Sequence, residues 1–287
     1  MGNRAKPSSG LEPIADLNKT EDLNKAEDLS PIEGLSQIEY LTQKNVLFKV
    51  VEADALHEAL AGQPIVTEKL YSNRPVYTAF KPDTFLNDLY GVVSGGPVVV
   101  HSTPLDRIIA MTYPGGCFGM RDLPFDFGQI DRAFPSLVEA YKTTDVVKIP
   151  GSAIATLYKS QPQFRERWAL LLEQRAKFQY HLLNCSSYPP QAVAALLRAL
   201  IYQERSLGLQ PQSDDHFIFD LPVDLLTRAC QLNQRTVEQV LKGMQQIGLI
   251  QTQKSTEVGD LVIIINSEGL KEVYSATRDK VSWWPLR

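Results

Sequence analysis

The sequence predicts an α+β chain in two folded parts, an antiparallel β domain followed by a small helical domain with a hairpin. Three observations carry this. Between Val46 and Ile149, short β-rich runs alternate with Gly and Pro (LYGVVSG, PVVVHS, RIIAMTY, DVVKIP), the pattern of an antiparallel sandwich or barrel. From Pro162 to Ser186 no residue breaks a helix. After SSYPP, two helical patterns joined by three residues lead into two strand-like runs, the order of a winged helix-turn-helix.

Composition narrows the classes. With 287 residues, 44% hydrophobic and 22% charged, the chain has material for a real core and length for two domains. No apolar run approaches about 18 residues, and MGNRAKPSSG lacks the apolar segment of a secretory signal, so a cytoplasmic protein without a membrane span is expected. Cys117, Cys185 and Cys230 are odd in number and scattered, which suits small buried residues rather than a disulfide framework or metal ligands. His57, His101, His181 and His216 stand apart, with no nucleophile motif, metal-ligand spacing, P-loop or dinucleotide fingerprint, so an enzyme is not expected. The net charge of −4 gives no bulk attraction to nucleic acid, and any DNA contact must come from a local patch.

Residues 11 to 47 carry a six-residue repeat, with leucines at 11, 17, 23, 29, 35, 41 and 47. Six residues advance a helix by roughly 600°, so these leucines form no stripe. Residues 1–45 read as a flexible acidic tail or as a segment that orders on a partner.

In the β domain, expected over 46–162, the turn PGGCFG is the densest punctuation. Gly115, Gly116 and Gly119 permit positive φ and a backbone whose N–H groups converge on an anion; a plain glycine-rich hairpin turn is the other reading. The stretch MRDLPFDFGQIDRAFPSL follows. In it Arg121 and Arg132 can pair with phosphate and Asp122, Asp126 and Asp131 can accept from a base edge, unless they form only a solvated loop.

In the long helix, expected over 163–187, Phe164, Trp168, Leu171, Arg175, Phe178, Leu182 and Cys185 recur at steps of four and three. That a/d seam suits a coiled-coil partner or the helix's own domain. Arg175 in this seam needs a partner to offset its desolvation, either an anionic ligand near a dimer axis or a carboxylate such as Glu173.

The helical domain is expected over 188–287. AVAALLRALIYQERSLG reads as its first helix and LPVDLLTRACQ as its second, with Asp220 as cap. Gln231 to Asn233 form the turn, Asn233 caps the third helix, and Val237, Val240, Leu241, Met244 and Ile247 are its buried face. The opposite side offers Gln234, Arg235, Glu238, Gln239 and Lys242. Gly248 ends the helix, and LIQTQK and DLVIIIN form the hairpin. Trp283 and Trp284 either cover this core or anchor a partner.

From about residue 46 the chain resembles the CRP/FNR family of bacterial transcription regulators, and more loosely their cyanobacterial CRP-like members. The resemblance rests on the order of β domain, glycine turn and long helix, and on NQRTVEQVLKGMQQIGLIQ, whose Thr236–Val237 pair, apolar positions and closing Gly-Leu-Ile match the family's recognition helix and wing entry. It implies a jelly-roll-like β-roll that binds a small effector, a dimerisation helix, and a homodimer on promoter DNA. Another transcription regulator is a further candidate partner. Two departures matter. The acidic residue that cyclic-AMP-binding members place after the turn glycine is Met120 here, and the family's arginine-serine pair becomes Arg132–Ala133. With Arg121, Arg132 and Arg175 supplying more positive charge than one phosphodiester uses, cyclic di-GMP is favoured over cyclic AMP, with aspartates for guanine edges; another ligand, or no nucleotide at all, is the remaining alternative. No covalent cofactor is expected; a haem-sensing variant would use one of the histidines. The expected effector residues are Gly116, Gly119, Arg121, Asp122, Asp131, Arg132 and Arg175. The expected DNA-reading residues are Asn233, Gln234, Arg235, Thr236, Gln239 and Lys242. Where members reading a GTGA-like half-site carry Arg, Glu and Arg, this chain has Gln234, Arg235 and Gln239, which favours adenine edges at the glutamines and guanine or phosphate at the arginine. The turn glycine common in the family is Gln231, tolerable in a left-handed conformation at about 1 kcal/mol. Residues 186–287 hold ten Lys/Arg and eleven Asp/Glu, and 220–255 hold Arg228, Arg235, Lys242 and Lys254 against three carboxylates, so few phosphate contacts are expected. A receptor that acts mainly through a protein partner is the alternative.

Overall fold

The computed structural model describes residues 35–72, 74–78, 87–102, 107–119, 135–184, 188–206, 208, 216–255, 259–276, 281 and 284. The chain begins with α1 (Gln37–Lys44) and α2 (Ala53–Leu60), followed by β1 (Val66–Leu70), β2 (Pro75–Thr78), β3 (Leu89–Ser94), β4 (Val98–Ser102), β5 (Arg107–Thr112), β6 (Cys117–Gly119), β7 (Pro135–Ala140) and β8 (Thr144–Ile149). Then come α3 (Gly151–Ser160), the long α4 (Pro162–Asn184), α5 (Pro189–Ser206), β9 (Phe217–Asp220), α6 (Val223–Cys230), α7 (Gln234–Gln246), β10 (Ile250–Ser255), β11 (Gly259–Ile264) and α8 (Ser267–Ser275).

Two antiparallel sheets, β1-β8-β3-β6 and β2-β7-β4-β5, face each other. Their shared interior includes Tyr77, Val92, Val98, Phe118, Val138 and Val146. The outer faces are buried too. Val93 and Val147 pack under α1 to α4, while Val99, Ile108 and Met111 join the core of the C-terminal head. Runs such as PVVVHS are therefore continuously apolar because successive side chains enter two different cores. The head packs α5, α6, α7 and α8 on a three-stranded sheet, β10-β11-β9.

Several expectations are corrected. The division expected at residue 45 falls within packed structure. Ser36 caps α1 in a reciprocal capping box with Glu39, Leu41 and Leu47 are buried, and the Tyr40 hydroxyl donates to the Val92 carbonyl at 3.1 Å. The rest of the tail, 1–34, lies outside the described residues. The leucines need no common stripe, because α1 ends at Lys44, before Leu47. The β domain expected from residue 46 also carries α2 and α3 as helical cover. Asp220 does not cap α6: the N-cap is Pro222 with no side-chain bond, and Asp220 ends β9, where Lys142 holds it. Ile247 is 43% exposed, because it is the C-cap of α7 and lies past the last buried turn. The seam of α4 is filled from within the protomer: Phe164, Trp168 and Leu171 pack with α1 to α3 and Phe178 joins the head core. A coiled-coil partner cannot use those side chains.

Candidate functional site

The helix-turn-helix is built from local signals. Gln231 adopts φ 52°, ψ 42° and closes α6 through its N–H to Thr227 O. This left-handed residue turns the chain at a non-glycine cost of about 1–2 kcal/mol. Asn233 then caps α7, its Oδ1 accepting from the Thr236 N–H and hydroxyl at 2.9 Å each. Val237, Val240, Leu241 and Met244 are buried, and α7 packs on α5, α6 and β10. Its other face is open: Asn233, Gln234, Arg235, Glu238, Gln239 and Lys242 are exposed, and Thr236 is half-buried at the cap. Gln234 donates to Glu238 at 2.8 Å, so its amide is already oriented by its neighbour.

Arg228, counted with the cations of the reading surface, points elsewhere. Its Nη2 donates to Glu139 Oε1 at 2.7 Å, and the buried His101 places Nε2 at 3.2 Å from the same oxygen. A guanidinium only donates, so when Nε2–H also donates to Glu139 both groups converge on one carboxylate oxygen, and the 3.2 Å approach of Arg228 Nη2 to His101 Nε2 is then a contact between two donors. The hydrogen bond from His101, reinforced by Arg228, holds the Glu139 carboxyl down to about 2. This ties α6 to β7 and β4. Beside it, Lys142 pairs with Asp220, the Tyr141 hydroxyl donates to Asp224, and the Tyr113 hydroxyl donates to the Asp220 carbonyl at 3.1 Å.

The glycine turn is knitted into the roll. Gly115 N–H donates to Val92 O and Gly116 N–H to Tyr113 O, so neither is offered to an anion. Asn45, fully buried, donates to Gly116 O at 3.3 Å and accepts from Leu47 N–H and the Cys117 thiol. Nothing in the run KNVLFKV marks this residue as different from a loop asparagine. Gly119, at φ 101°, has no room for a side chain, since a Cβ would lie 2.5 Å from Asp88 O. Burial pushes the Cys117 thiol up to about 12, so it is an inert core group.

Arg175 is the one cation expected at the effector site that lies within the described residues. It is half-buried on α4, with Nη2 donating to Cys117 O at 3.1 Å. It meets the turn across a cleft of about 20 Å³, lined also by Thr112, Gly116, Gln174 and Gln203. That is room for about one water. Gln174, nearly fully buried, and Gln203, which donates to Met111 O at 3.0 Å, were not anticipated. Arg121, Asp122, Asp131 and Arg132 lie outside the described residues. Trp284 packs against the head core; Trp283 lies outside the described residues. Among the described residues, no three His, Cys, Asp or Glu side chains converge as a metal set, and no helix is long and apolar enough to cross a membrane.

No family model matches the sequence, and no curated protein matches it. Solved structures do. The chain is similar to FixK2 from Bradyrhizobium japonicum, with a TM-score of 0.53 and 17% identity over 75% of this chain and 99% of that one. It is similar to a CooA double mutant from Carboxydothermus hydrogenoformans, with a TM-score of 0.53 and 14% identity over 82% and 97%. It also matches CLP, a c-di-GMP responsive global regulator of Xanthomonas campestris, at a TM-score of 0.48 and 14% identity over 75% and 99%. The shared property is the fold, an N-terminal β-roll with a C-terminal helical head, the architecture of CRP/FNR-type transcription regulators.

Proposed function

We propose that the chain is a homodimeric, ligand-responsive transcription regulator that reads promoter DNA with the open face of α7. One observation carries the reading: α7 buries an apolar side in the head and presents Gln234, Arg235, Gln239 and Lys242 outward, clear of the roll. A helix after a tight turn, with side chains suited to adenine and guanine edges, is the geometry that enters a major groove.

The proposed effector is an anionic nucleotide, cyclic di-GMP ahead of cyclic AMP, held where Arg175 meets the glycine turn. The support is the position of Arg175 on α4 together with Met120 in place of the family's acid. A cleft that holds one water admits a nucleotide only if Arg175 leaves Cys117 O. Ligand entry then acts directly on α4, which also contacts α5 of the head. The dimer contact proposed is the outward side of α4, where Ala169 and Ala176, both exposed, flank the half-buried Leu172 and allow close helix approach.

With Arg228 committed to Glu139, the cations of residues 220–255 left near the reading face are Arg235, Lys242 and Lys254. That observation favours the second reading, a receptor acting mainly through a protein partner. Titration of promoter DNA at varied salt separates the two. Three phosphate contacts per head, doubled in a dimer, give a slope of about −5 in log K against log salt. Specific binding with that slope, reduced by Arg235→Ala, is expected; no shift with or without nucleotide rejects DNA reading. Calorimetric titration with cyclic di-GMP, cyclic AMP and cyclic GMP, repeated in Arg175→Ala, tests the effector. Nucleotide binding that ignores Arg175 would place the pocket elsewhere.

A further inference from the structure

The groove between α5 and α8 is an anomaly in a chain of net charge −4. Arg198 and Arg205, seven residues apart and so about 10 Å apart along α5, line it with Lys271 of α8. The only carboxylate among its described lining residues is Glu268, 3.5 Å from Lys271. The space measures about 80 Å³, room for several waters. Both guanidinium groups are held in place: Arg198 lies 4.7 Å over the Tyr274 ring, and Arg205 lies 5.2 Å over Phe217 and donates to Ser267 Oγ at 3.3 Å. A guanidinium laid on a ring keeps in-plane N–H donors for a carboxylate. Tyr202, 41% exposed, adds an apolar wall. The positive surface continues past the end of α5, where Lys49 and Arg167 converge on Gly208.

We propose that this groove docks the chain's own acidic segment, residues 11–34. That segment holds seven carboxylates against two lysines. Its acidic pairs, Glu21–Asp22 and Glu27–Asp28, are each followed by a leucine, Leu23 and Leu29. Charge and an apolar contact thus recur together, which matches a groove of cations beside a tyrosine. The segment can reach. The eight residues of α1 cover about 12 Å between its root at Leu35 and the region of Lys49, whose Nζ lies 3.4 Å from the Gly208 carbonyl beyond α5. Extended chain adds at most about 25 Å from Leu35 to Asp28 and about 50 Å to Glu21. Tethering gives an effective concentration on the order of millimolar, so the docked form is populated when several ion pairs and the leucine contacts act together.

The test is zero-length carbodiimide coupling of the full-length protein at low salt, with peptide mapping of monomeric product. Amide links from Lys271 to Glu21, Asp22, Glu27 or Asp28 are expected. They should disappear at about 0.5 M salt, where charges beyond roughly 4 Å are screened, and fall severalfold in Arg198→Gln/Arg205→Gln. Acetylation of Lys271 should rise severalfold when the four acids become amides. Links confined to covalent dimers would assign the groove to a second copy and overturn the intramolecular strap. Links no more frequent than those to the exposed wing residue Lys254, with Lys271 acetylation unchanged, would overturn it as well and leave the groove to an external partner. Neither readout depends on DNA or nucleotide binding.

Discussion

Glu204 on α5 is half-buried, and desolvation pushes its carboxyl up to about 7 from an ordinary value near 4.5. A carboxyl raised on folding stabilises the fold when protonated in both states, and this contribution is lost as pH rises from about 4.5 through about 7. Glu139 works the other way. Held down to about 2 by His101 and Arg228, it contributes above about 4.5, and its share is lost as pH falls toward 2. These two groups together favour stability near pH 4.5 to 5 and a decline toward neutrality. Glu204→Gln is expected to stabilise the protein at pH 8 by on the order of 2–3 kcal/mol and to flatten that decline, read from urea midpoints across pH 4 to 8. A midpoint unchanged at pH 8 would show that the carboxyl is solvated. Neither residue was visible in the sequence as special, because each owes its behaviour to partners or burial supplied by distant chain. Arg228 illustrates the same limit: spacing put it near a reading helix, and only the fold brought it to Glu139.

At the scale of elements, legibility followed locality. The turn at Gln231, the cap at Asn233 and the buried face of α7 were readable because a helix-turn-helix is specified by neighbours a few residues apart. Asn233→Ala removes that cap and is expected to cost about 1 kcal/mol, seen as a lower melting temperature and faster amide exchange in the first turn of α7. The four-residue β9 became a strand only through its pairing with β11 and did not stand out in advance, whereas α1 carried a local signal, the Ser36–Glu39 capping box, that the leucine repeat obscures. For α4 the period showed a seam but not what fills it: the protomer's own helices occupy it. The proposed dimer contact therefore moves to the outward side, and Ala169→Glu is expected to give a folded monomer by light scattering, with DNA affinity lost and helix content kept. A dimer that survives this change would place the interface elsewhere.

For the whole molecule, the question is whether roll and head are separable. The connection expected at SSYPP suggests independent domains, yet Val99, Ile108 and Met111 of the roll are buried in the same cluster as the head's Leu225, Leu226 and Val240. Around that apolar contact run the ties from Lys142 to Asp220, Tyr141 to Asp224 and Arg228 to Glu139. An interface with a dry centre and a charged rim couples its two sides most strongly when both are present. The rim pairs are partly exposed, so each is worth about 1 kcal/mol or less, but together they fix the angle at which α6, and hence α7, leaves the roll. The unaltered protein should unfold in one calorimetric transition, because the head's core is completed by Val99, Ile108 and Met111 of the roll. Lys142→Met/Arg228→Met should split or broaden that transition and raise the radius of gyration in solution scattering. If both stay unchanged, the apolar centre alone sets the pose, and the charged rim has no part in holding the reading helix.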